Sequence, residues 1–199
     1  MARLIAMCGP DKMGKETQSK MLVSSLRELG YRVELAEVPV KDAITHRLIY
    51  WMLRRGLAKK LPNVFQFVQF LNRIVFQTFK LKELLAENDF VILDRWALSA
   101  IVYGDATGVN KRFNRFLFKM MKRPHLTIVL TGEKKSKRVD DVYEADSLLQ
   151  ARVSAGYWNW VDAHPVDHEL VSNHGEREDV HHRIMCVLMH DDIVLGGVV

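Results

Sequence analysis

Apolar and polar positions follow two alternating rhythms along this chain. Leu4–Cys8 is a short apolar run, closed by the turn Gly9-Pro10-Asp11-Lys12-Met13-Gly14. From Lys15 to Leu29 the period changes: Met21, Leu22, Leu26 and Leu29 recur at helical spacing, and Gly30 follows as a C-cap would. Arg32–Val38 returns to alternation, with Val33, Leu35 and Val38 marking a second strand. Lys41–Arg55 and the long Val64–Glu87 read as helices, and Phe90–Leu93 reads as a buried strand by its length and β-branching. Ala97–Tyr103 and Lys111–Lys122 suggest two more helices, Leu126–Thr131 a fourth strand and Tyr143–Ala163 a helix. Glu169–Ser172 is a short fifth strand, and Glu176–His190 a last helix. Strands that alternate with longer helical segments imply βαβ units. The fold expected is therefore α/β, a five-stranded parallel sheet flanked by helices.

Composition adds bounds. The chain has 199 residues, 48% hydrophobic and 27% charged, enough for one sizeable core, and no Pro/Gly/Ser-rich linker divides it. We expect a single domain spanning residues 1–199. No apolar run approaches the ~20 residues that a membrane helix needs. Two cysteines, Cys8 and Cys186, no CxxC pair and no secretory leader point to a reducing cytoplasmic setting. The net charge of +5 suits a phosphate-rich partner, nucleotide or nucleic acid, without choosing between them.

Gly9-Pro10-Asp11-Lys12-Met13-Gly14-Lys15-Glu16-Thr17 has the GxxxxGK core of a phosphate-binding loop, set between a strand and a helix. Glycines let backbone N–H groups converge on phosphate, the helix N-terminus adds favourable dipole charge, and Lys15 supplies a point charge. The strict pattern places a Mg²⁺-ligating Ser or Thr after the lysine; here the residue is Glu16. A second strand, Phe90–Leu93, ends in Asp94-Arg95. Ligands of parallel sheets bind beyond the carboxyl ends of strands, so Asp94 could hold Mg²⁺ and Arg95 a phosphate. A strand-end salt bridge is the plain alternative.

Taken together these motifs resemble the thymidylate kinase family of P-loop nucleoside monophosphate kinases, over roughly residues 3 to 190. The loop through Gln18 resembles G-x-D-x-x-G-K-S-T-Q; Val38-Pro39-Val40-Lys41 resembles F-P-x-R; Leu71-Asn72-Arg73 resembles A-N-R. Asp94-Arg95-Trp96 with Ser99 resembles D-R-Y-x-x-S, Arg123-Pro124-His125-Leu126 resembles K-P-D-L, and Val142-Tyr143-Glu144 with Gln150-Ala151-Arg152-Val153 resembles the lid and its following helix. The resemblance implies ATP as phosphoryl donor, Mg²⁺, a deoxynucleoside monophosphate acceptor with dTMP first, a lid at approximately 133–145, and a homodimer through the long apolar helices.

It also implies roles. Gly9, Met13, Gly14, Lys15, Glu16 and Thr17 would surround the ATP phosphates, with Glu16 and Asp94 toward the metal. Lys12, Lys15 and Arg95 would act on the transferring phosphoryl group. Asp11 would meet the sugar 3′-hydroxyl with Tyr143 nearby, and Arg95 with Lys41 would clamp the acceptor phosphate. Arg73 and Ser99 would face the pyrimidine edge, and Tyr103 would crowd the sugar 2′ side. Gln69 stands where the family carries a ring-stacking phenylalanine, with Phe70 adjacent, which leaves base choice open to a purine or modified pyrimidine. Glu16 either binds the metal or turns away and leaves it to Asp94.

Other features read as structural. In Lys111–Arg123, Phe113, Phe116, Leu117 and Met120 follow helical spacing, so a buried stripe with a solvated basic face is preferred to a nucleic-acid surface. His164, His168, His181 and His182 lack zinc-site spacing and read as surface residues. Phe65, Phe67, Phe70 and Phe76 read chiefly as core, with part of the set, Phe70 included, expected to line the acceptor cleft, and Trp158 and Trp160 read as packing the long helix. A polynucleotide-directed kinase and a catalytically weak nucleotide-binding protein remain the alternatives.

Overall fold

The computed structural model describes residues 2–38, 44–133, 147–166 and 168–190. Lys41, Tyr143, the basic run Lys134–Arg138 and nearly all of the expected lid lie outside them. β1 (Arg3–Cys8), β2 (Val33–Glu37), β3 (Phe90–Asp94), β4 (Leu126–Thr131) and β5 (His168–Ser172) form one sheet in the order β2-β3-β1-β4-β5. Every neighbouring pair is parallel. The expected α/β class holds.

The sheet is covered on both faces because its strands are apolar on both. In β1, Leu4, Ala6 and Cys8 enter one core cluster, and Ile5 and Met7 enter the other. The second cluster packs α1 (Lys15–Glu28) and the final helix against the sheet through Leu22, Leu26, Ile184 and Leu188. The first cluster receives α4 (Pro62–Val75), α6 (Ala97–Ala106), α7 (Lys111–Phe118) and α8 (Ser147–Ala163). Two short segments precede α4: α2 (Ile44–Arg54) and the single turn α3 (Leu57–Lys60), which has no counterpart in the sequence reading. The terminal helix α9 spans Arg177–His190. Among the described residues no helix is long and apolar enough to cross a membrane.

Three expectations need correction. The helix expected over Val64–Glu87 is continuous but not uniform: Phe76–Leu81 is π-helical, between α4 and α5 (Lys82–Glu87). The wider turn buries Phe76 and Leu81 and lets Gln77 engage the loop after α7, accepting from Lys122 N at 2.6 Å. The stripe on α7 also differs. Asn114, Leu117, Phe118 and Met121 are buried, whereas Phe116 and Met120 are exposed. Beside its apolar residues this helix also turns the polar Asn114 inward, which a hydrophobic pattern does not signal. Phe67 and Trp158 are exposed as well, and His168 is only half-exposed, its Nε2 accepting from Trp160 Nε1 at 3.3 Å.

Asn114 sits at the centre of a buried network behind α6. It accepts from Gln66 Nε2 (2.8 Å) and donates to Ile101 O (2.9 Å) and Asp105 Oδ1 (2.8 Å). Arg115 closes the network on Asp105 through two hydrogen bonds of 3.0 and 2.8 Å. The close approach requires Gly104: a Cβ there would stand 2.8 Å from both Asn114 Nδ2 and Gln66 Nε2. Gly104→Ala is therefore expected to break buried hydrogen bonds worth about 1–3 kcal/mol in total and to lower Tm by roughly 2–10 °C. Thermal unfolding followed by circular dichroism checks this; an unchanged Tm would contradict the packing described.

Candidate active site

The sequence order of the strands determines where a ligand can sit. From β1 the chain crosses to β2 on one side of the sheet, and from β3 it crosses back over β1 to β4 on the other. A crevice opens beyond the carboxyl ends at such a reversal. The loop after β1 and the Asp94-Arg95 corner after β3 meet there, held together by the ladder pair Met7–Asp94 and by Arg95 N donating to Met7 O (2.9 Å).

The loop residues 9–14 lead into α1 through Gly14, which has φ 87°. Lys15 is buried and its Nζ donates to Pro10 O at 2.5 Å, curling over its own loop. Met13 is buried, Gly9 lies in the loop floor, and Thr17 is exposed on the first turn of α1. Glu16 is also exposed, and its carboxylate accepts from Lys20 Nζ at 2.5 Å, one helical turn away.

Among the described residues, Lys12 (φ 67°) and Arg95 (φ 70°) are the two non-glycine residues in the left-handed region. Side chains with a Cβ adopt that conformation at a cost of about 1 kcal/mol or more, and such strain concentrates at functional corners. Periodicity carries no signal for it.

Asp11 organises the centre. Its Oδ1 accepts from Arg95 Nη2, and its Oδ2 accepts from Tyr103 Oη (2.6 Å) and Gln150 Nε2 (2.9 Å). Gln150 Oε1 in turn accepts from Asp11 N at 3.4 Å. Burial would raise the Asp11 pKa, but Arg95, Tyr103 and Lys15 together hold it below the ordinary carboxylate value. Gln150 was not among the expected site residues, although it stands in the quoted Gln150-Ala151-Arg152-Val153 motif. A buried glutamine on a helix gives no periodic signal.

Beside this cluster is a cavity of about 180 Å³ lined by Gln69, Arg73, Arg95, Ser99, Tyr103 and Gly104, with Phe65 and Ile49 among its apolar walls. Arg73 Nη1 donates to both the backbone oxygen (3.1 Å) and side-chain oxygen (3.2 Å) of Gln69, and its Nε, fully buried, has no partner. Burial, reinforced by Arg95, lowers the Arg73 pKa to about 10. Ser99 accepts from Tyr157 Oη (2.9 Å) and donates to Cys8 Sγ (3.4 Å), which fixes the floor. Phe70 is a correction. It does not line the cavity but packs edge-on against Phe118 in the core, with ring centroids 5.9 Å apart.

Asp94 offers the clearest metal donor. Its Oδ1 is buried without a hydrogen-bond partner, and burial raises its pKa against the pull of Arg95 and Lys15. Mg²⁺ characteristically uses one or two carboxylates together with substrate phosphates, so a single unpaired oxygen at the phosphate loop fits that ion. The Glu16 carboxylate is directed to Lys20 instead.

Comparison with known proteins bears on the sequence and the fold. The sequence model of the family described as thymidylate kinase matches residues 8–152. The thymidylate kinase of Candida albicans superimposes with a TM-score of 0.77 at 25% identity, covering 96% of this chain and 92% of that one. The thymidylate kinase of Ehrlichia chaffeensis gives a TM-score of 0.73 at 21% identity, covering 94% of this chain and 98% of that one; at this identity the likeness concerns the fold.

Burial and then the neighbouring Arg95 depress the Lys15 pKa to about 7, whereas a phosphate against Nζ favours the charged amine. At pH 8 the free lysine is then about nine-tenths neutral, and binding Mg²⁺-ADP should take up about one proton. Because the free-state value is the lower one, affinity is lost as pH rises through 7 toward 9. Calorimetry in buffers of different ionisation enthalpy measures the uptake, which Lys15→Ala should abolish.

Proposed function

The chain belongs to the thymidylate kinase family, and from that premise we propose that this phosphotransferase moves the γ-phosphoryl group of ATP to a deoxynucleoside monophosphate, dTMP first, giving the diphosphate. The observation that supports the reading is the meeting of Asp11, Arg95, Tyr103 and Gln150 beside a phosphate loop, with an unpaired Asp94 oxygen on one side and a base-sized cavity on the other.

Phosphoryl transfer asks little covalent chemistry of a protein; it asks for alignment and positive charge around the moving group. Lys15 and the N–H groups of the loop hold the donor phosphates. Lys12, on its left-handed corner, faces the transferring group. Arg95 keeps one nitrogen on Asp11 and spends its remaining N–H groups on the acceptor phosphate, with Lys41 the second candidate for that contact. Asp11, its carboxylate already fixed, accepts from the sugar 3′-hydroxyl. Tyr103 stands against the sugar, and the unpaired Arg73 Nε is offered to a base carbonyl. Mg²⁺, held through Asp94, would neutralise charge on the donor's bridging phosphates.

Two finer choices belong to the same proposal. Gln69 already serves Arg73 with both of its oxygens, so it positions the arginine where a ring would have stacked on the base. Val64, Phe67, Leu71, Val75 and Phe79 are exposed at three- and four-residue spacing along the long helix, a seam we assign to a second copy of the chain. Leu71→Glu should convert the dimer to monomer in sedimentation equilibrium; a wild-type monomer would refute the assignment.

The deciding experiment is ADP release from Mg²⁺-ATP with each deoxynucleoside monophosphate in turn. Turnover on dTMP is expected, falling by at least about 10²–10³ in kcat for Lys15→Ala. Turnover on purines would keep the kinase and make Gln69 a specificity residue. Turnover on polynucleotide ends alone would overturn the free-nucleotide reading and turn attention to Phe116, exposed among Lys111, Arg112 and Lys119.

A further inference from the structure

Asn173 follows β5 and is 1% exposed, and nothing in the sequence pattern singles it out. Its carboxamide is spent on two separate loops. Oδ1 accepts from Glu133 N (2.9 Å), and Nδ2 donates to Glu133 O (2.6 Å) and to Met13 O (3.3 Å), with Met13 Sδ at 3.5 Å. Its own N donates to Thr131 O at 2.8 Å. One side chain thus ties the phosphate loop to the end of β4. The fit depends on Gly132, where a Cβ would stand 2.1 Å from Asn173 Oδ1.

The contact bears on the loop through peptide planarity. Met13 C=O and Gly14 N–H belong to one planar unit and point in opposite directions when the bond is trans. Holding the oxygen on Asn173 therefore turns the Gly14 N–H the other way, away from Asn173. Gly14, at φ 87°, would otherwise have wide torsional freedom. The Asp11–Gln150 contact does the equivalent for the acceptor side of the same loop, so the two halves are held from different strands and helices.

We propose that Asn173 is a positioning residue for the phosphoryl donor: it fixes the Gly14 amide toward the donor phosphates and has no part in holding the acceptor. This rests on the reading of residues 9–17 as the donor-phosphate loop. The class of ligand it serves is a nucleoside di- or triphosphate, sensed through the polyphosphate and not through the base.

The test compares wild type with Asn173→Ala and the milder Asn173→Ser, which keeps one hydroxyl for Glu133 N. KM for ATP, KM for dTMP and calorimetric Kd for Mg²⁺-ADP are measured on each. Asn173→Ala should raise the ATP KM and the ADP Kd about tenfold and leave the dTMP KM within about twofold, with Asn173→Ser intermediate. Asn114→Ala, which empties an equally buried amide site behind α6, should lower Tm without weakening Mg²⁺-ADP. If Asn173→Ala does not fold, Asn173→Ser carries the comparison. Equal rises in both KM values, or an unchanged ADP Kd, would overturn the proposal. Failure of the functional reading looks different: wild type would show no turnover on any monophosphate, while the ADP Kd still reports on Asn173. A wild type that binds no ADP would sink both.

Discussion

Burying positive charge without its final partner is the constraint around which this molecule is arranged. Lys15, Arg73 and Arg95 converge at the carboxyl end of the sheet, and each carries a desolvation penalty. The carboxylates of Asp11 and Asp94 offset part of it, yet Asp94 keeps a bare oxygen and Arg73 a bare Nε. An uncompensated buried charge is expensive, and a stable protein retains one only where the surrounding fold over-determines the geometry. Under the proposed function a nucleotide pair would supply the missing partners: phosphate for the cations, a metal for Asp94 and a carbonyl for Arg73.

The support for that arrangement comes from many separate elements. Asp11 sits on the loop after β1, Arg95 on the corner after β3, Tyr103 on α6 and Gln150 on α8, and the four share one carboxylate. Beneath them Tyr157, Ser99 and Cys8 form a hydrogen-bonded floor, and behind α6 the Gln66–Asn114–Asp105–Arg115 network holds the helix that carries Tyr103. Polar networks of this kind stabilise only when every member is satisfied, which makes them unforgiving and also specific. Rigidity bought this way is useful to a phosphotransferase, whose rate depends on alignment to fractions of an ångström.

The same contrast explains how much could be read from the residues alone. The five strands, the parallel sheet and the helices were legible because burial writes a period of two or about 3.6 into the chain, as in Leu4–Cys8 and Lys15–Leu29. The glycine-rich loop and Asp94-Arg95 stand out in the sequence because phosphate chemistry demands particular residue types at fixed spacing. What escaped was polar and buried: Asn114 among the apolar residues of α7, Gln150 against Asp11 and Asn173 against Met13. Such residues leave no hydrophobic period. The left-handed corners at Lys12 and Arg95 escaped for a related reason, since a long basic side chain gives no hint that its own backbone is strained. Phe70 is Gln69's neighbour in sequence but not at the cavity: Gln69 takes the cavity position, and the ~100° step of the helix turns Phe70 into the core.

Gln69 shows how a local change can be absorbed by this frame. A phenylalanine at that position would supply a flat face to the base but only its backbone oxygen to Arg73. Glutamine supplies a second acceptor, at 3.2 Å, to the same guanidinium nitrogen. The exchange gives up stacking in return for a more firmly held arginine, one whose Nε stays buried and unpaired. In the proposed reading, recognition of the base would depend less on the area of a ring and more on where its carbonyl lies. A directional contact in a dry pocket discriminates by the penalty of leaving a buried donor unmet. Under the proposed function, the substitution would not remove base selectivity from the site; it would move the selectivity from the face of the ring to its edge.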